Sequence, residues 1–271
     1  MASPNRVGLI AGNCKFPFLV LEAARSQGIE MVVAAVKEET FPEIEQHAKT
    51  VHWMALGQLG KLIKTFKAEG ITQAIMAGQV KHKQIFSSGI PDFKMMQLLA
   101  SLATKNTDSL IGAVARVLEQ EGIHLMESTT FLRPLLPEPG VLTARAPSDE
   151  EKRDLDYGYT IARELGRLDL GQSVAVSDVA CVALEAMEGT DAVMERAASL
   201  VNGRSLRIVK LAKPKQDLRF DVPTIGLRTV ETMERCRVSA MAIEARKTLM
   251  IDRDELLREA NAAGIAIVAV E

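Results

Sequence analysis

The stretch that decides the fold is residues 6–36, which reads RVGLIAGNCKFPFLVLEAARSQGIEMVVAAV. An apolar run ends in Gly12, a segment with helical spacing leads to Gly28, and a second apolar run follows over residues 30–36. Pro17 suits the first turn of a helix, and glycine is the usual residue just beyond a helix end. Two buried strands joined by a helix are the unit from which parallel sheets are built. The stretch therefore predicts a doubly wound, parallel α/β sheet.

The loop after the first predicted strand is a candidate ligand site. Sheets of this kind bind ligands beyond the carboxyl ends of their strands, which makes Gly12 and Asn13 candidate substrate-binding residues. The glycine fingerprint of dinucleotide-binding domains is broken, because Cys14 and Pro17 stand where its second and third glycines would be. A tight turn that needs one glycine is the alternative. A nucleotide-binding oxidoreductase, with Glu38 as the acid on the ribose, remains a second functional hypothesis.

The alternation of strand and helix patterns continues along the chain and predicts two domains. We expect an N-terminal Rossmann-like domain over residues 1–132, in which residues 123–132 close the sheet. A proline-rich linker over residues 133–151 then leads to a second α/β domain, residues 152–271. In that domain, two short strand patterns within residues 173–184 predict a hairpin.

Composition limits the class of protein. The chain has 271 residues, of which 47% are hydrophobic and 25% charged, with a formal net charge of −2. This balance predicts a globular protein with no nucleic-acid partner. The cysteines, Cys14, Cys181 and Cys236, form no C-x-x-C pair and fit a reducing compartment. No window approaches the roughly 18 apolar residues of a spanning helix, so we expect a cytoplasmic protein and leave open a peripheral contact with the inner membrane.

The densest cluster of charged residues lies in residues 210–226, KLAKPKQDLRFDVPTIG. Asp217 and Asp221 lie four residues apart, and Lys210, Lys213 and Arg219 belong to the same stretch. Such a set can hold a divalent cation and an anionic phosphate in one pocket. A solvated turn of mixed charges is the alternative.

A second acidic loop contains Glu185, Glu188 and Asp191. If this loop converges with residues 217–221, the two form an oxygen-rich site suited to magnesium. The alternatives are a helix N-cap for Asp191 and a surface position for Glu185. The basic residues that follow the strand pattern ending near residue 80, Lys81 among them, either meet a phosphate or form a solvated loop.

Other common catalytic motifs are missing from the sequence. There is no G-x-x-x-x-G-K-[ST] phosphate loop and no G-x-S-x-G nucleophile motif. The four histidines lack the spacing of a zinc or two-metal site.

Five motifs together resemble the LpxI family of UDP-2,3-diacylglucosamine pyrophosphatases. They are GLIAGNCKFP at 8–17, GQVK at 78–81, LDLGQSVAV at 168–176, LEAMEGTDAVMER at 184–196 and KPKQDLRFDVPTIGLRTVE at 213–231. The resemblance covers the whole chain. Cys14 and Arg246 depart from the family pattern, which tends to have glycine at both positions.

The resemblance implies a two-domain enzyme of lipid A biosynthesis that uses Mg²⁺ or Mn²⁺ to hydrolyse UDP-2,3-diacylglucosamine. The products would be UMP and 2,3-diacylglucosamine 1-phosphate, known as lipid X. An essential aspartate of the family carries over to Asp217 or Asp221. The implied partner is a UDP-linked lipid, and a homodimer is compatible with it. A non-catalytic binder of UDP-sugars or lipids is a third hypothesis.

These arguments give a set of candidate site residues. The catalytic candidates are Asp217, Asp221 and Glu188, with one aspartate on the metal and another acid orienting the attacking water. The metal candidates are Asp217, Asp221 and Asp191. The substrate-binding candidates are Gly12, Asn13, Lys81, Thr190, Lys213, Gln216 and Arg219.

Overall fold

The structure is a computed structural model that describes residues 6–79, 91–102 and 107–271, with the backbone alone at 107 and 108. The chain forms two compact units. One comprises the residues up to Leu132 together with Leu218–Phe220; the other comprises Arg133–Asp217 and Asp221–Glu271.

The first unit contains a parallel five-stranded sheet. Its strands are β1 (Arg6–Ala11), β2 (Glu30–Val36), β3 (Thr50–Met54), β4 (Gln73–Ala77) and β5 (His124–Leu125), in the order β3-β2-β1-β4-β5. Its described helices are α1 (Phe16–Ser26), α2 (Leu59–Ala68), α3 (Phe93–Ser101) and α4 (Thr107–Gln120). The predicted doubly wound fold is confirmed. The strand order reverses between β1 and β4, and sheets of this type bind ligands at such a switch point.

Two details of the first sheet differ from the prediction. Strand β3 was not predicted, because its sequence TVHWM has no continuous apolar run and four of its five residues are only partly buried. The expected closing strand over residues 123–132 is present only at His124–Leu125. Beyond it the backbone leaves the sheet, since Ser128 N donates to Leu218 O at 3.0 Å.

The second unit contains a mixed six-stranded sheet. Its strands are β6 (Gly140–Val141), β7 (Ser173–Ser177), β8 (Ala180–Leu184), β9 (Leu206–Lys210), β11 (Val238–Glu244) and β13 (Ala266–Val270). They lie in the order β6-β13-β11-β9-β7-β8. Two further short strands, β10 (Thr224–Ile225) and β12 (Leu249–Met250), form a separate two-stranded sheet. Its helices are α5 (Asp149–Arg167), α6 (Thr190–Leu200), α7 (Leu227–Arg235) and α8 (Arg253–Ala262). The predicted hairpin is confirmed as the antiparallel pair β7–β8.

The proline-rich segment expected to be a linker, residues 133–151, is counted with the second unit. Strand β6 within it pairs antiparallel with β13. Helix α5 then starts with a capping box, in which Ser148 and Glu151 satisfy each other's backbone N–H groups. These residues are therefore part of a folded unit.

Each sheet is covered by helices that bury its apolar residues. In the second unit one cluster of buried side chains contains Met194, Ile208 and Met241, and another contains Val209 and Leu155. This arrangement fits the layered α/β architecture that the sequence predicts. Within the part of the chain that the structure describes, we find no helix long and apolar enough to cross a membrane.

Candidate active site

The loop that follows β1 is held against the loop that follows β4. Asn13 N donates to Gln79 O at 2.8 Å, and Gln79 N donates back to Asn13 O at 3.2 Å. A side chain at Gly12 would place its Cβ 2.6 Å from Gln79 O, a distance that real Cβ atoms do not adopt. Gly12 is therefore needed for close backbone contact at the switch point of the first sheet.

The side chain of Asn13 has partners within the same unit. Its Oδ1 accepts from Cys14 N at 2.6 Å, and its Nδ2 donates to Glu39 at 3.1 Å. Cys14 has a φ of 77°, a conformation that favours glycine. The two predicted substrate-binding residues here, Gly12 and Asn13, thus lie in a loop held by hydrogen bonds. Lys81, the third, lies outside the described residues. Glu38, the acid of the oxidoreductase hypothesis, accepts a hydrogen bond from Leu56 N at 3.3 Å.

A buried lysine organises the polar residues of the second unit. Lys210, the last residue of β9, is 7% exposed, and its Nζ donates to Thr190 Oγ1 at 2.8 Å. The same Thr190 hydroxyl lies 2.9 Å from Ser173 Oγ and 3.5 Å from Glu185 Oε1. We call these four residues, Ser173, Glu185, Thr190 and Lys210, the lysine cluster.

Three carboxylates act on Lys210. Burial lowers the pKa of its ammonium group, and the negative charges of Glu185, Asp191 and Asp221 oppose that effect only in part. Burial likewise raises the pKa of Asp191, against the opposing effect of Arg228 and Lys210. The structure therefore brings acids of both predicted loops, Asp191 and Asp221, near one buried lysine.

Secondary structure places each member of this group. Ser173 begins β7, Glu185 follows β8, and Thr190 and Asp191 form the first turn of α6. The N-cap of α6 is Gly189, with a φ of 87°, so the N-cap interpretation of Asp191 is wrong. A carboxylate in the first turn of a helix is stabilised by the positive end of the helix dipole.

The predicted loop that follows β9 is folded by its own backbone. Lys213 N donates to Gln216 Oε1 at 2.7 Å, and Gln216 N donates to Lys213 O at 3.0 Å. One residue further on, Asp217 O accepts from Asp221 N at 2.9 Å, which places both aspartates in one turn. Lys213 also forms an ion pair with Asp169 at 2.8 Å.

One donor in this loop lacks a partner. The Gln216 side-chain nitrogen is buried and has no hydrogen-bond acceptor among the described residues. A buried unsatisfied donor is costly, and such groups are commonly found where a ligand or water completes the bonding.

Glu188 has hydrogen-bond partners of its own. Its Oε1 accepts from Arg196 at 2.6 Å, and its Oε2 accepts from Ala186 N at 2.9 Å. The pKa of Glu188 is lowered by hydrogen bonds from its own backbone N–H, from Arg196 and from Ala186 N. Its carboxylate therefore stabilises the loop that carries it.

Arg219 belongs with Leu218 and Phe220 to the first unit. Its carbonyl oxygen accepts from Ser128 Oγ at 2.7 Å, and the same hydroxyl lies 2.6 Å from Met76 O. Ser128 therefore ties this three-residue segment to the loop after β5 and to β4.

The candidate metal ligands do not form a complete cage. Across residues 6–79, 91–102 and 107–271, no group of three or more His, Cys, Asp or Glu residues could hold a metal ion by itself. Asp191, Asp217 and Asp221 thus do not form such a group. Mg²⁺ sites commonly use only one or two carboxylates and complete the shell with substrate phosphates and water.

Sequence reasoning placed Lys210 in the charged stretch 210–226 but did not select it, or Ser173, as a site residue. Ser173 is the first residue of the buried strand SVAVS, and Lys210 is the last residue of the buried strand LRIVK. Both residues could have been found as polar residues in predicted buried strands, because a buried polar group needs a hydrogen-bond partner.

A parallel-sheet domain followed by an α/β domain with acids around a buried lysine defines a two-domain α/β protein. Comparison with known families agrees with this architecture. Residues 6–135 match the LpxI N-terminal domain, and residues 138–268 match the LpxI C-terminal domain. The chain therefore belongs to the LpxI family, which confirms the resemblance drawn from its motifs.

A curated relative covers nearly all of the chain. The protein of Caulobacter vibrioides named UDP-2,3-diacylglucosamine pyrophosphatase LpxI is 30% identical over 276 residues, which are 98% of this chain and 98% of that protein. The similarity thus includes both units.

Solved structures give only distant similarities. The biotin carboxylase domain of Hydrogenobacter thermophilus 2-oxoglutarate carboxylase matches with 14% identity and a TM-score of 0.26, over 65% of this chain and 35% of that one. The biotin carboxylase subunit of pyruvate carboxylase matches with 13% identity and a TM-score of 0.27, over 69% of this chain and 36% of that one. This chain thus spans about a third of the length of those proteins. TM-scores this low support no conclusion about fold or function.

Proposed function

We propose that the protein is a UDP-2,3-diacylglucosamine pyrophosphatase of lipid A biosynthesis, which releases UMP and 2,3-diacylglucosamine 1-phosphate. The observation that carries the proposal is the relative of that name, which is 30% identical over 98% of both chains. The lysine cluster and the two acids near it supply chemistry that suits this reaction.

A pyrophosphate is an anion, and three features of the second unit favour anions. Lys210 is buried, and its Nζ is a hydrogen-bond donor. Thr190 begins α6, and helix N-termini attract anions through their free N–H groups. The unpartnered nitrogen of Gln216 can donate to a phosphate oxygen. We therefore assign the pyrophosphate to the region of Lys210, with Thr190, Lys213 and Gln216 as binding residues.

The acids near Lys210 fit a divalent cation that the substrate helps to bind. Asp191 and Asp221, with Asp217 in the same turn as Asp221, would hold Mg²⁺ or Mn²⁺. Two carboxylates suffice when phosphate oxygens and water complete the shell. A bound cation supplies electrostatic stabilisation of the charge that develops on the leaving phosphate.

The remaining chemistry falls to side chains of this chain. We propose that water is the nucleophile and that Asp217 or Asp221 orients it by accepting a hydrogen bond. Lys210 holds Thr190 and, through its charge, the nearby acids in place, so it acts as a positioning residue. Glu188 is engaged by Arg196 and Ala186 N, which favours a structural role for it.

The substrate carries two acyl chains, so we also propose that the protein meets its substrate at the cytoplasmic face of a membrane without spanning it. The molecular mass of the purified protein in solution tests whether it is a homodimer.

The deciding experiment follows UMP release from UDP-2,3-diacylglucosamine with Mg²⁺ and then with EDTA. We expect UMP with Mg²⁺ and none with EDTA. A folded protein that binds the substrate but releases no UMP would instead be a binder of UDP-linked lipids. A protein that reduces or oxidises a nicotinamide cofactor and releases no UMP would support the oxidoreductase hypothesis.

A further inference from the structure

Glu244, the last residue of β11, is a buried carboxylate to which the reaction proposed above gives no role. Its side chain is almost completely enclosed, since the residue is 3% exposed. Its Oε2 accepts a hydrogen bond from Ala212 N at 2.8 Å. Its Oε1 accepts from Lys247 Nζ at 2.6 Å, and Arg163 Nη1 lies 3.3 Å from the same oxygen. Burying a carboxylate is costly unless it is paired and hydrogen-bonded, and Glu244 is both.

The bond from Ala212 is made where the chain leaves the second sheet. Strands β9 and β11 pair as far as Lys210 and Ile243, so Ala212 lies beyond the last paired residue. A backbone N–H that leaves a sheet and stays buried needs another acceptor. Ala212 is 3% exposed, and the Glu244 carboxylate supplies that acceptor.

The N–H groups on either side of Ala212 are bound in other ways. Leu211 N donates to a backbone oxygen, Gln172 O, at 2.9 Å. Lys213 N donates to Gln216 Oε1 at 2.7 Å, which is a bond within the loop itself. The bond from Ala212 therefore ties the start of this loop to β11.

We propose that Glu244 is a positioning residue, which holds the loop of residues 212–217 in the conformation that binds the pyrophosphate. The inference rests on the function proposed above, in which Lys213 and Gln216 bind phosphate oxygens and Asp217 serves the cation or the attacking water. Misplacing such groups by about 1 Å can lower a rate by about 100-fold, even when the change lies far from the chemistry.

Two neutral substitutions of similar size isolate the hydrogen-bond acceptor. Glu244→Gln keeps an oxygen within reach of Ala212 N, whereas Glu244→Met has none. Both remove the charge that balances Lys247 and Arg163, so stability that depends on this charge is lost in both variants. Lys247→Met is the control, because it removes one cation and leaves the bond to Ala212 in place.

UMP release is measured per folded molecule, and the folded fraction of each variant is taken from unfolding in urea. We expect kcat/KM of E244M to be lower than that of E244Q by about tenfold or more. The control K247M should stay within about threefold of the wild type, since Lys247 is partly exposed. A merely structural role would change the folded fraction and leave the rate per folded molecule equal in E244Q and E244M.

Amide hydrogen exchange tests the loop without any ligand or turnover. The amides of residues 212–217 should exchange faster in E244M than in E244Q by about tenfold or more, because the start of the loop is no longer tied to β11. The amides of α8 are the internal control and should exchange at equal rates in both variants.

The two measurements separate this proposal from the function itself. Faster exchange of the loop confined to E244M would support the positioning role even if no variant releases UMP, and only the function would then be rejected. UMP release by the wild type, with equal rates and equal loop exchange in E244Q and E244M, would keep the function and overturn the positioning role. If E244M does not fold, Glu244→Asp, which keeps the charge but is one methylene too short to reach Ala212 N, replaces it in both measurements.

Discussion

Lys210 donates a hydrogen bond to Thr190 over 2.8 Å and so joins the end of β9 to the first turn of α6. Both residues are at least nine-tenths buried. Because Glu185, Asp191 and Asp221 act on the same lysine, this single contact links the strand, the helix and both acidic loops. The arrangement depends on this buried lysine, which makes Lys210 the first residue to change.

Lys210→Met should abolish most activity and also destabilise the fold. Removing one partner of a buried charged group typically costs about 3–5 kcal/mol, because the opposite charge is left buried. We expect kcat to fall by about 100-fold or more. Unfolding in denaturant and UMP release are the measurements, with the exposed Lys152→Met as the matched control.

The double variant Lys210→Met, Glu185→Gln separates positioning from simple stability. Neutralising Glu185 removes a buried charge that Lys210 no longer balances, so part of the lost unfolding free energy should return. Activity should stay low. If activity returned together with stability, Lys210 would have only a structural role.

Asp221→Asn and Asp191→Asn should each lower kcat by about 100-fold or more with little change in substrate affinity. The amide keeps the shape of the side chain but loses the charge that a cation or an attacking water requires. Asp178→Asn is the control, since Asp178 is exposed and pairs with Arg204. A near-normal rate in D221N would reject Asp221 as a catalytic residue.

Glu188→Gln should change kcat by less than about fivefold, because the Glu188 carboxylate forms a partly exposed ion pair with Arg196. Steady-state rates of E188Q are compared with those of Arg196→Gln, which breaks the same pair from the other side. The two variants should behave alike. A loss of about 100-fold confined to E188Q would make Glu188 a chemical participant.

Gly12→Ala should destabilise the first unit, since the new Cβ would lie 2.6 Å from Gln79 O. Such overpacking typically costs about 1–3 kcal/mol. Gly112→Ala is the matched control, because its nearest neighbour, Arg116, is 3.8 Å away. Alanine at that helical position should gain up to about 1 kcal/mol. Denaturant unfolding measures both, and a neutral G12A would contradict the close contact.

Stability should depend on the ionisation of Glu151 in acid. Burial raises the pKa of Glu151, but hydrogen bonds from Arg145 and from Ser148 N outweigh it and bring the pKa from 4.5 to about 2. A carboxyl with a depressed pKa stabilises the folded state fully above its unfolded pKa. That contribution is lost as the pH falls from about 4.5 to about 2.

The free energies of unfolding of the wild type and Glu151→Gln should therefore differ at neutral pH and converge below about 4.5. The expected difference at neutral pH is about 2 kcal/mol, typical of a lost hydrogen bond to a charged group. A difference that stays constant down to pH 2 would show that Glu151 acts through packing alone.

Local pattern predicted much of the fold. The apolar runs around residues 6–36 became β1, α1 and β2, and residues 173–184 became a hairpin. Such features depend on neighbours in the chain, which the sequence displays directly. Strand β3 was missed because its sequence, TVHWM, contains no apolar run. Its place in the sheet depends on packing within the unit, which the local sequence does not display.

The sequence by itself determined the α/β class, the family and the two acidic loops from which candidate site residues were drawn. Only the tertiary structure decided which of those residues share a site. Ser173, Thr190 and Lys210 are far apart in the chain and meet because β9 pairs with β7 and α6 packs on the same sheet. Strand order is decided by long-range packing that no local pattern contains. For the same reason, Asp191 and Asp221 come near Lys210, while Glu188, three residues from Asp191, pairs with Arg196 instead.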